Sequence, residues 1–526
     1  MMVETKLIEV LRLLEAGGLP HAYWKASRRL SEALSGQGDY DLLIPPTRRN
    51  ECHHRLAEAG FLRFQTRPGN QRPEMAHFVA PSASGLVHLH LHEAPISGDY
   101  DVWQFSLGDP EFILSHRQRD EGTEVFRLAP AMELALLVLR AFTEPKMRRR
   151  TWRKKSGAPL TEKARLDIDH VWQKVDDQSL RRIITPLYGA PLARQLAAFH
   201  HRRISPADPA SLARLSPLVT ELLPRFRNRP RTQIALASAK RNAVGFSRRV
   251  YTRVRPPLLP PWTEQQRLRA PREGLFIAVV GPDGAGKSTL IEHLSQWFSA
   301  TVDTETIYLG KGSLVSTVWK GLADIKTDIK RLLIPGGKDQ SDRTTNPSFF
   351  DITRSPLRQR TWELARVSQA LRQRKLARRA HHHRGAGRFT IADRFPHPTN
   401  RFTGGPGILI LDNSCRWTRA TAAAERALLR DIAHNTAPDI VLRLAIPAAE
   451  ACRRAPDHNP ADIKRKADAF EDVSYPGAAL YSLDATEPPE VVFARAREIL
   501  WSHLSEESLI PKTRGDEEQV IAGSRL

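Results

Sequence analysis

The nine residues Gly281-Pro282-Asp283-Gly284-Ala285-Gly286-Lys287-Ser288-Thr289 constrain this chain more than any other stretch. An apolar run, 275–280, precedes them, and Leu290-Ile291-Glu292-His293-Leu294 opens a helical pattern behind them. A buried strand, a glycine-rich loop and a helix, in that order, make a phosphate cradle. Side chains would block the approach of backbone N–H groups to phosphate oxygens, and the helix N-terminus adds partial positive charge. In the pattern G-x-x-x-x-G-K-[ST], Lys287 reaches the terminal phosphates and the Ser288 hydroxyl binds Mg²⁺. Gly281, Asp283, Gly284, Ala285, Gly286, Lys287, Ser288 and Thr289 are the candidate phosphate-binding residues.

A chain of 526 residues is too long for one core, so two or three domains are expected. No apolar run approaches the ~18 residues that cross a bilayer. Glu4, Lys6, Glu9 and Arg12 break any signal-peptide core. The cysteines, Cys52, Cys415 and Cys452, stand far apart and form neither a disulfide framework nor a zinc spacing, so a reducing cytoplasm is expected. Cys52-His53-His54 falls in a helical pattern and reads as a surface face. The formal charge of +22 suits a polyanionic neighbour: nucleic acid, an anionic membrane surface or phosphorylated substrates. No specific nucleic-acid motif accompanies it.

The pattern divides into 1–225, a basic proline-rich linker at 226–272, a domain at 273–503 and a polar tail at 504–526. Within the linker, residues 233–254 have the pattern of an amphipathic helix, suited to peripheral contact with an anionic membrane or to a solvated connector. Pro256-Pro257 and Pro260-Pro261 interrupt it. In the second domain, short strands at 275–280, 305–309, 389–392, 440–446 and 479–483 alternate with helical patterns such as 358–379 and 421–434. That alternation predicts a parallel sheet covered by helices, an α/β fold with ligands beyond the carboxyl ends of its strands.

A second motif narrows the chemistry. Phe389-Thr390-Ile391-Ala392 ends in Asp393-Arg394-Phe395. A carboxylate at a strand tip binds Mg²⁺ or orients an attacking oxygen, and an adjacent arginine holds a phosphate through its planar fork. Asp412, behind Ile408-Leu409-Ile410-Leu411, is the rival carboxylate. On the loop, the Asp393-Arg394-Phe395 tripeptide, Pro438-Asp439-Ile440, the basic run Arg453-Arg454…Lys464-Arg465-Lys466 and Leu483-Asp484-Ala485-Thr486, residues 272–503 resemble the thymidylate kinase family of P-loop nucleoside monophosphate kinases.

The resemblance implies a P-loop NTPase sheet with flanking helices, ATP and Mg²⁺ as cofactors, and phosphoryl transfer to a nucleoside monophosphate or a related small phosphorylated acceptor. It implies that Asp283 contacts the acceptor sugar, Lys287 the phosphates, Ser288 and Asp393 the Mg²⁺, and Arg394 the acceptor phosphate. Residues 453–466 match a mobile lid. Gly284 stands where some members carry a catalytic arginine, so Arg453, Arg454 or Arg465 is expected to supply that charge. Asp484-Ala485-Thr486 matches a loop near adenine. The chain departs from the family after the second strand, at Tyr308-Leu309-Gly310-Lys311-Gly312-Ser313, and again at Pro396-His397-Pro398. It also carries a long basic insertion at about 313–356. Arg366, Arg372 and Arg378 are further candidates for acceptor phosphate.

The amino-terminal half carries Tyr23-Trp24-Lys25-Ala26-Ser27 and then Asp39-Tyr40-Asp41-Leu42-Leu43-Ile44. Asp39 and Asp41 share one face of a strand, and such a pair can hold Mg²⁺ against a triphosphate. With Pro130-Ala131-Met132-Glu133-Leu134, residues 1–150 resemble the nucleotidyltransferase fold, which implies a separate α+β domain. Where a third carboxylate is expected, Val87-His88-Leu89-His90-Leu91-His92 alternates histidines instead. This half therefore reads as a recognition or degenerate domain, with a bifunctional enzyme as one alternative. A regulatory NTP-binding protein is the other, and a homodimer is left open.

Overall fold

The computed structural model describes residues 5–67, 72, 74–82, 85–99, 102–123, 125–147, 159–254, 267–310, 356–412 and 414–509. The proline pairs at 256–261, most of the insertion at 313–356 and the end of the tail lie outside them. The chain forms two compact units, Met1–Leu268 and Arg269–Leu526.

The first unit is built on strands β1 (Ala22–Tyr23), β2 (Tyr40–Leu43), β3 (Leu62–Phe64), β4 (Met75–Pro81) and β5 (Leu86–His92). A short pair, β6 (Ile96–Ser97) and β7 (Phe105–Ser106), follows, and then β8 (Arg117–Arg119) and β9 (Phe126–Leu128). Seven of these join one mixed sheet in the order β3-β4-β5-β2-β1-β9-β8. Strand alternation sends Leu42, Leu89 and Leu91 to one face, where they pack with Leu7, Val10 and Leu14 of the helix Thr5–Ala16. On the opposite face Trp24 and Leu43 join a second core around the helix Pro130–Thr143. That helix is apolar on nearly every side, as a helix enclosed by others must be. The helices Glu162–Trp172, Asp177–Tyr188, Ala190–His201 and Pro209–Leu222 complete this core.

The linker is expected from residue 226. Asn228 N–H donates to the Gln104 carbonyl at 3.1 Å, which ties that stretch back to the first unit. The basic segment forms the helix Arg231–Val254, with Leu236 and Phe246 exposed. From Ala270 onward the backbone bonds to Gly387 and then Arg384 of the second unit. Among the described residues, no helix is long and apolar enough to cross a membrane.

Among the described residues the second unit has five strands: β10 (Phe276–Val280), β11 (Thr304–Tyr308), β12 (Phe389–Asp393), β13 (Ile440–Ala445) and β14 (Ala479–Asp484). They pair in parallel in the order β11-β12-β10-β13-β14. The three central strands are the apolar ones, because helices cover both of their faces; β11 and β14, at the edges, are more polar and more exposed. The predicted helices are longer than their patterns, Pro356–Gly385 and Arg416–Asn435. Phe276, Ala278, Ile307, Ala392, Leu429 and Val441 form the core. Pairing sets Val279 beside Asp393 and Asp393 beside Tyr308, so the carboxyl ends of β10, β12 and β11 meet at one rim.

Candidate functional site

Residues 281–286 leave the central strand and enter the helix Lys287–Ser299 directly. Gly284 and Gly286 adopt φ of +84° and +86°, values that side chains strain to reach. A Cβ on Gly284 would stand 2.7 Å from the Ala451 carbonyl oxygen. A larger side chain at this position would meet the helix Ala448–Arg454, whose backbone lies against the loop.

The Lys287 ammonium is buried beneath the loop and donates to the Pro282 carbonyl at 2.6 Å, with Asp283 at 4.0 Å. Burial, with help from the Arg394 charge, lowers its pKa to about 8. Asp283 pairs with Arg394 at 2.8 Å and also with Lys466. Burial alone would raise the Asp283 carboxyl, but these two cations hold it well below the usual carboxylate range. Arg394 has φ of +69°. For a residue other than glycine that is a strained conformation, stored at the strand tip where Arg394 N–H donates to the Val279 carbonyl at 3.0 Å.

Asp393 Oδ1 is shut from solvent and, among the described residues, has no hydrogen-bond partner. Asp393 lines a cleft of about 370 Å³ together with Ser288, Glu292, Thr306 and Tyr308. A carboxylate and a hydroxyl on one cleft are the oxygen donors that Mg²⁺ takes, so these residues fit the ion. Thr289, next along the helix, is exposed.

The remaining candidates separate into those at the rim and those held elsewhere. Arg453 pairs with Glu450 at 2.7 Å, and Arg454 pairs with Glu450 at 2.6 Å while donating to the Ala485 carbonyl at 2.8 Å. Arg465 pairs with Asp462 on the exposed side of the helix Pro460–Glu471. Lys466, one residue later, is the cation of that helix that reaches the loop. Basic composition marked the segment, but only the helix phase distinguishes Lys466 from Arg465. Arg366 is bound to Glu425 at 2.7 Å and to the Gly405 carbonyl at 2.9 Å, and Arg378 lies 3.3 Å from Asp431. Arg372 donates to the Gly310 carbonyl at 3.1 Å. A Cβ on Gly310 would stand 2.9 Å from Arg394 Cδ, so Arg372 and Arg394 flank the same turn. The run before Asp412 is not a strand, and Asp412 is exposed.

Pro396-His397-Pro398 also has a structural role. His397 Nε2 donates to the Ser474 carbonyl at 3.1 Å, and Asn400 N–H donates to its Nδ1 at 2.9 Å. These bonds tie the segment after β12 to the chain that follows the helix bearing Lys466.

In the first unit, Asp41 pairs with Lys25 and lies 3.2 Å from His90 Nδ1 and 3.0 Å from His92 Nε2. Asp39 lies 2.8 Å from His88 Nδ1. Glu133 is buried and accepts from Ser27 N–H at 2.7 Å; burial raises its pKa to about 7. His77, which sequence reasoning did not select, joins this group from β4. The only hint was a polar residue between Ala76 and Phe78 in an apolar strand.

No model of a known protein family matches the chain. It is similar to the uncharacterized ATP-binding protein YghR of Escherichia coli strain K12, 27% identical over 229 residues, which cover 42% of this chain and 85% of that protein. It is also similar to the uncharacterized ATP-binding protein YghS of the same strain, 28% identical over 233 residues, 44% of this chain and 93% of that protein.

Proposed function

We propose that the second unit binds ATP and transfers its terminal phosphoryl group to a small phosphorylated acceptor of the nucleoside monophosphate class. The observation that carries this reading is the rim itself. Asp393, Ser288 and the Lys287 loop stand beside Arg394, an arginine that nucleotide binding alone does not need. The likeness to two proteins named as ATP-binding supports the donor side.

In this reading the loop N–H groups and the Lys287 ammonium hold the donor phosphates. Ser288 and Asp393 hold Mg²⁺, which when bound supplies charge neutralisation to the phosphate oxygens. Arg394 and Arg372 grip the acceptor phosphate from the Gly310 side. An acceptor oxygen attacks the terminal phosphorus of ATP as the bond to the bridging oxygen breaks, and ADP leaves. Lys466 pairs with Asp283; substrate anions draw it and Arg394 onto the transferring group, where fixed cations stabilise the charge of the transition state. The helix Pro460–Glu471 thereby takes the place of a lid, and its closure excludes water.

The competing reading is a regulatory NTP-binding unit. It draws on Arg366 and Arg378, which are committed to ion pairs within the fold and leave fewer cations for an acceptor. ADP release by the full-length protein, screened against a panel of nucleoside and sugar monophosphates, separates the two. Acceptor-dependent ADP release with a matching phosphorylated product supports transfer. Tight ATP binding with no acceptor-dependent turnover overturns it.

A further inference from the structure

The amino-terminal sheet holds a second constellation that phosphoryl transfer does not use. β4, β5 and β2 are neighbours, and their register sets His77 opposite His90 and His90 opposite Asp41. Alternation places His88, His90 and His92 on that same face, while Leu89 and Leu91 point into the core behind it. His88 Nδ1 lies 2.8 Å from Asp39 Oδ1, and His90 Nδ1 lies 3.2 Å from Asp41 Oδ1. Each ring is thus oriented by a carboxylate through Nδ1, and His90 Nε2 also lies 3.7 Å from Asp39 Oδ2. His88 Nε2 is 3.1 Å from His77 Nδ1. One ring nitrogen from each of His77, His88 and His90 lies within 4.8 Å of the other two.

Mg²⁺, the ion that the Asp39 and Asp41 pair suggested, does not fit this donor set. It prefers oxygen ligands in strict octahedral order. Here Asp41 is already paired with the Lys25 ammonium, and imidazoles stand where another carboxylate would. Imidazole suits zinc and its first-row neighbours. Two nitrogens bound tetrahedrally at about 2.0–2.1 Å from zinc stand roughly 3.3 Å apart, close to the His77–His88 separation.

We propose that His77, His88 and His90 bind one divalent transition-metal ion of the Zn²⁺ class, with Asp39 and Asp41 orienting the ligating rings. Three protein ligands leave a fourth coordination position for water or a ligand atom. The alternative set, Asp41, His90 and His92, shares His90. It would seat the ion on the carboxylate already held by Lys25, whose charge repels a cation.

The test uses the full-length protein, stripped with chelator and kept free of nucleotide. Titration with Zn²⁺ is expected to fill one tight site per chain, and millimolar Mg²⁺ is expected not to compete. Co²⁺ in its place gives the visible absorption of a four-coordinate ion. His77→Gln and His88→Gln each weaken Zn²⁺ binding by at least ~100-fold, and Asp39→Asn by roughly 10–100-fold. His54→Gln, on the exposed side of the helix Arg49–Glu58, leaves it unchanged. X-ray absorption of the zinc-loaded wild-type protein counts three imidazoles, a readout that does not depend on any variant folding. The proposal is overturned by absence of a tight Zn²⁺ site or by preference for Mg²⁺. It is equally overturned by sulfur in the absorption spectrum, or by binding that survives His77→Gln and is lost in His92→Gln.

Discussion

The two candidate sites are made of different material. The rim of the second unit is made largely by backbone: a contiguous loop that turns at glycines of positive φ, with a few side chains at the tips of neighbouring strands. The histidine face of the first unit is made wholly by side chains, drawn from three strands and brought together by register. A backbone site tolerates no Cβ where the chain turns, yet it offers the same N–H donors whatever the neighbouring sequence. A side-chain site tolerates backbone variation but takes its chemistry from each residue, so one carboxylate replaced by imidazole changes the ion it suits. In the proposed readings the first site takes phosphate and Mg²⁺, and the second a softer ion.

The sharpest challenge to the backbone site is its one buried cation. Lys287→Ala is expected to lower ATP turnover by at least ~10²-fold, the scale of losing a preorganised charge at a developing one. Circular dichroism and the denaturation midpoint should stay near wild type. A folded variant with unchanged turnover would show that the loop does not cradle the reacting phosphates.

Arg394 comes next, because it divides donor from acceptor. Arg394→Ala is expected to raise the acceptor KM by roughly 10–100-fold while ATP affinity, read by calorimetry, changes little; loss of a charge-assisted bidentate contact has that size. Arg394→Lys should rescue poorly, since an ammonium lacks the planar fork. Equal losses on both substrates would move Arg394 to the donor side.

A third challenge is pH. The free Lys287 ammonium titrates near pH 8, chiefly because it is buried and secondly because Arg394 repels it. Asp283 and Asp393 favour its charge, and Lys466 opposes it. Bound phosphates favour the protonated form, so binding takes up a proton wherever the free lysine has lost one. ATP affinity is therefore expected to hold steady below about pH 8 and to fall up to tenfold per unit above it. Lys287→Arg removes that titration and should flatten the profile between pH 8 and 9.5. A slope that persists in Lys287→Arg would assign the titration elsewhere.

How much of the molecule is legible in its sequence follows from the same contrast. The loop is contiguous, and so are the five strands of the second unit; their apolar runs match the observed strands to within two residues. Asp393 and Arg394 stand at the end of such a run, so the apolar pattern alone puts them at a strand tip. Lys466 has no such marker, because a basic run does not reveal which of its members faces inward. Arg372 cannot be separated by pattern from Arg366 and Arg378, whose carboxylate partners come from a helix more than fifty residues away. His77 escapes notice because it enters the histidine face only through pairing with His90 across a hairpin. Gly284 looks like a missing catalytic arginine, and only the fold sets Ala451 beside it.

That glycine supplies the smallest expected effect and the most direct test of a backbone-made site. At Gly284 an added methyl meets two costs: a φ of +84° and a carbonyl oxygen 2.7 Å away that belongs to a packed helix. At Gly286 it meets one, since φ is +86° but nothing lies within 4 Å of the new carbon. Gly286→Ala is therefore expected to cost about 1 kcal/mol from conformation alone, and Gly284→Ala about 2–3 kcal/mol, since Ala451 or the loop must also shift. Urea denaturation of the two variants reads the difference directly. Function should order them less steeply, because Gly286→Ala places its methyl in open space that a phosphate would use, whereas Gly284→Ala faces the helix Ala448–Arg454. Equal destabilisation by the two would mean that the helix yields freely at Ala451. The loop would then be free to accept a larger side chain at 284.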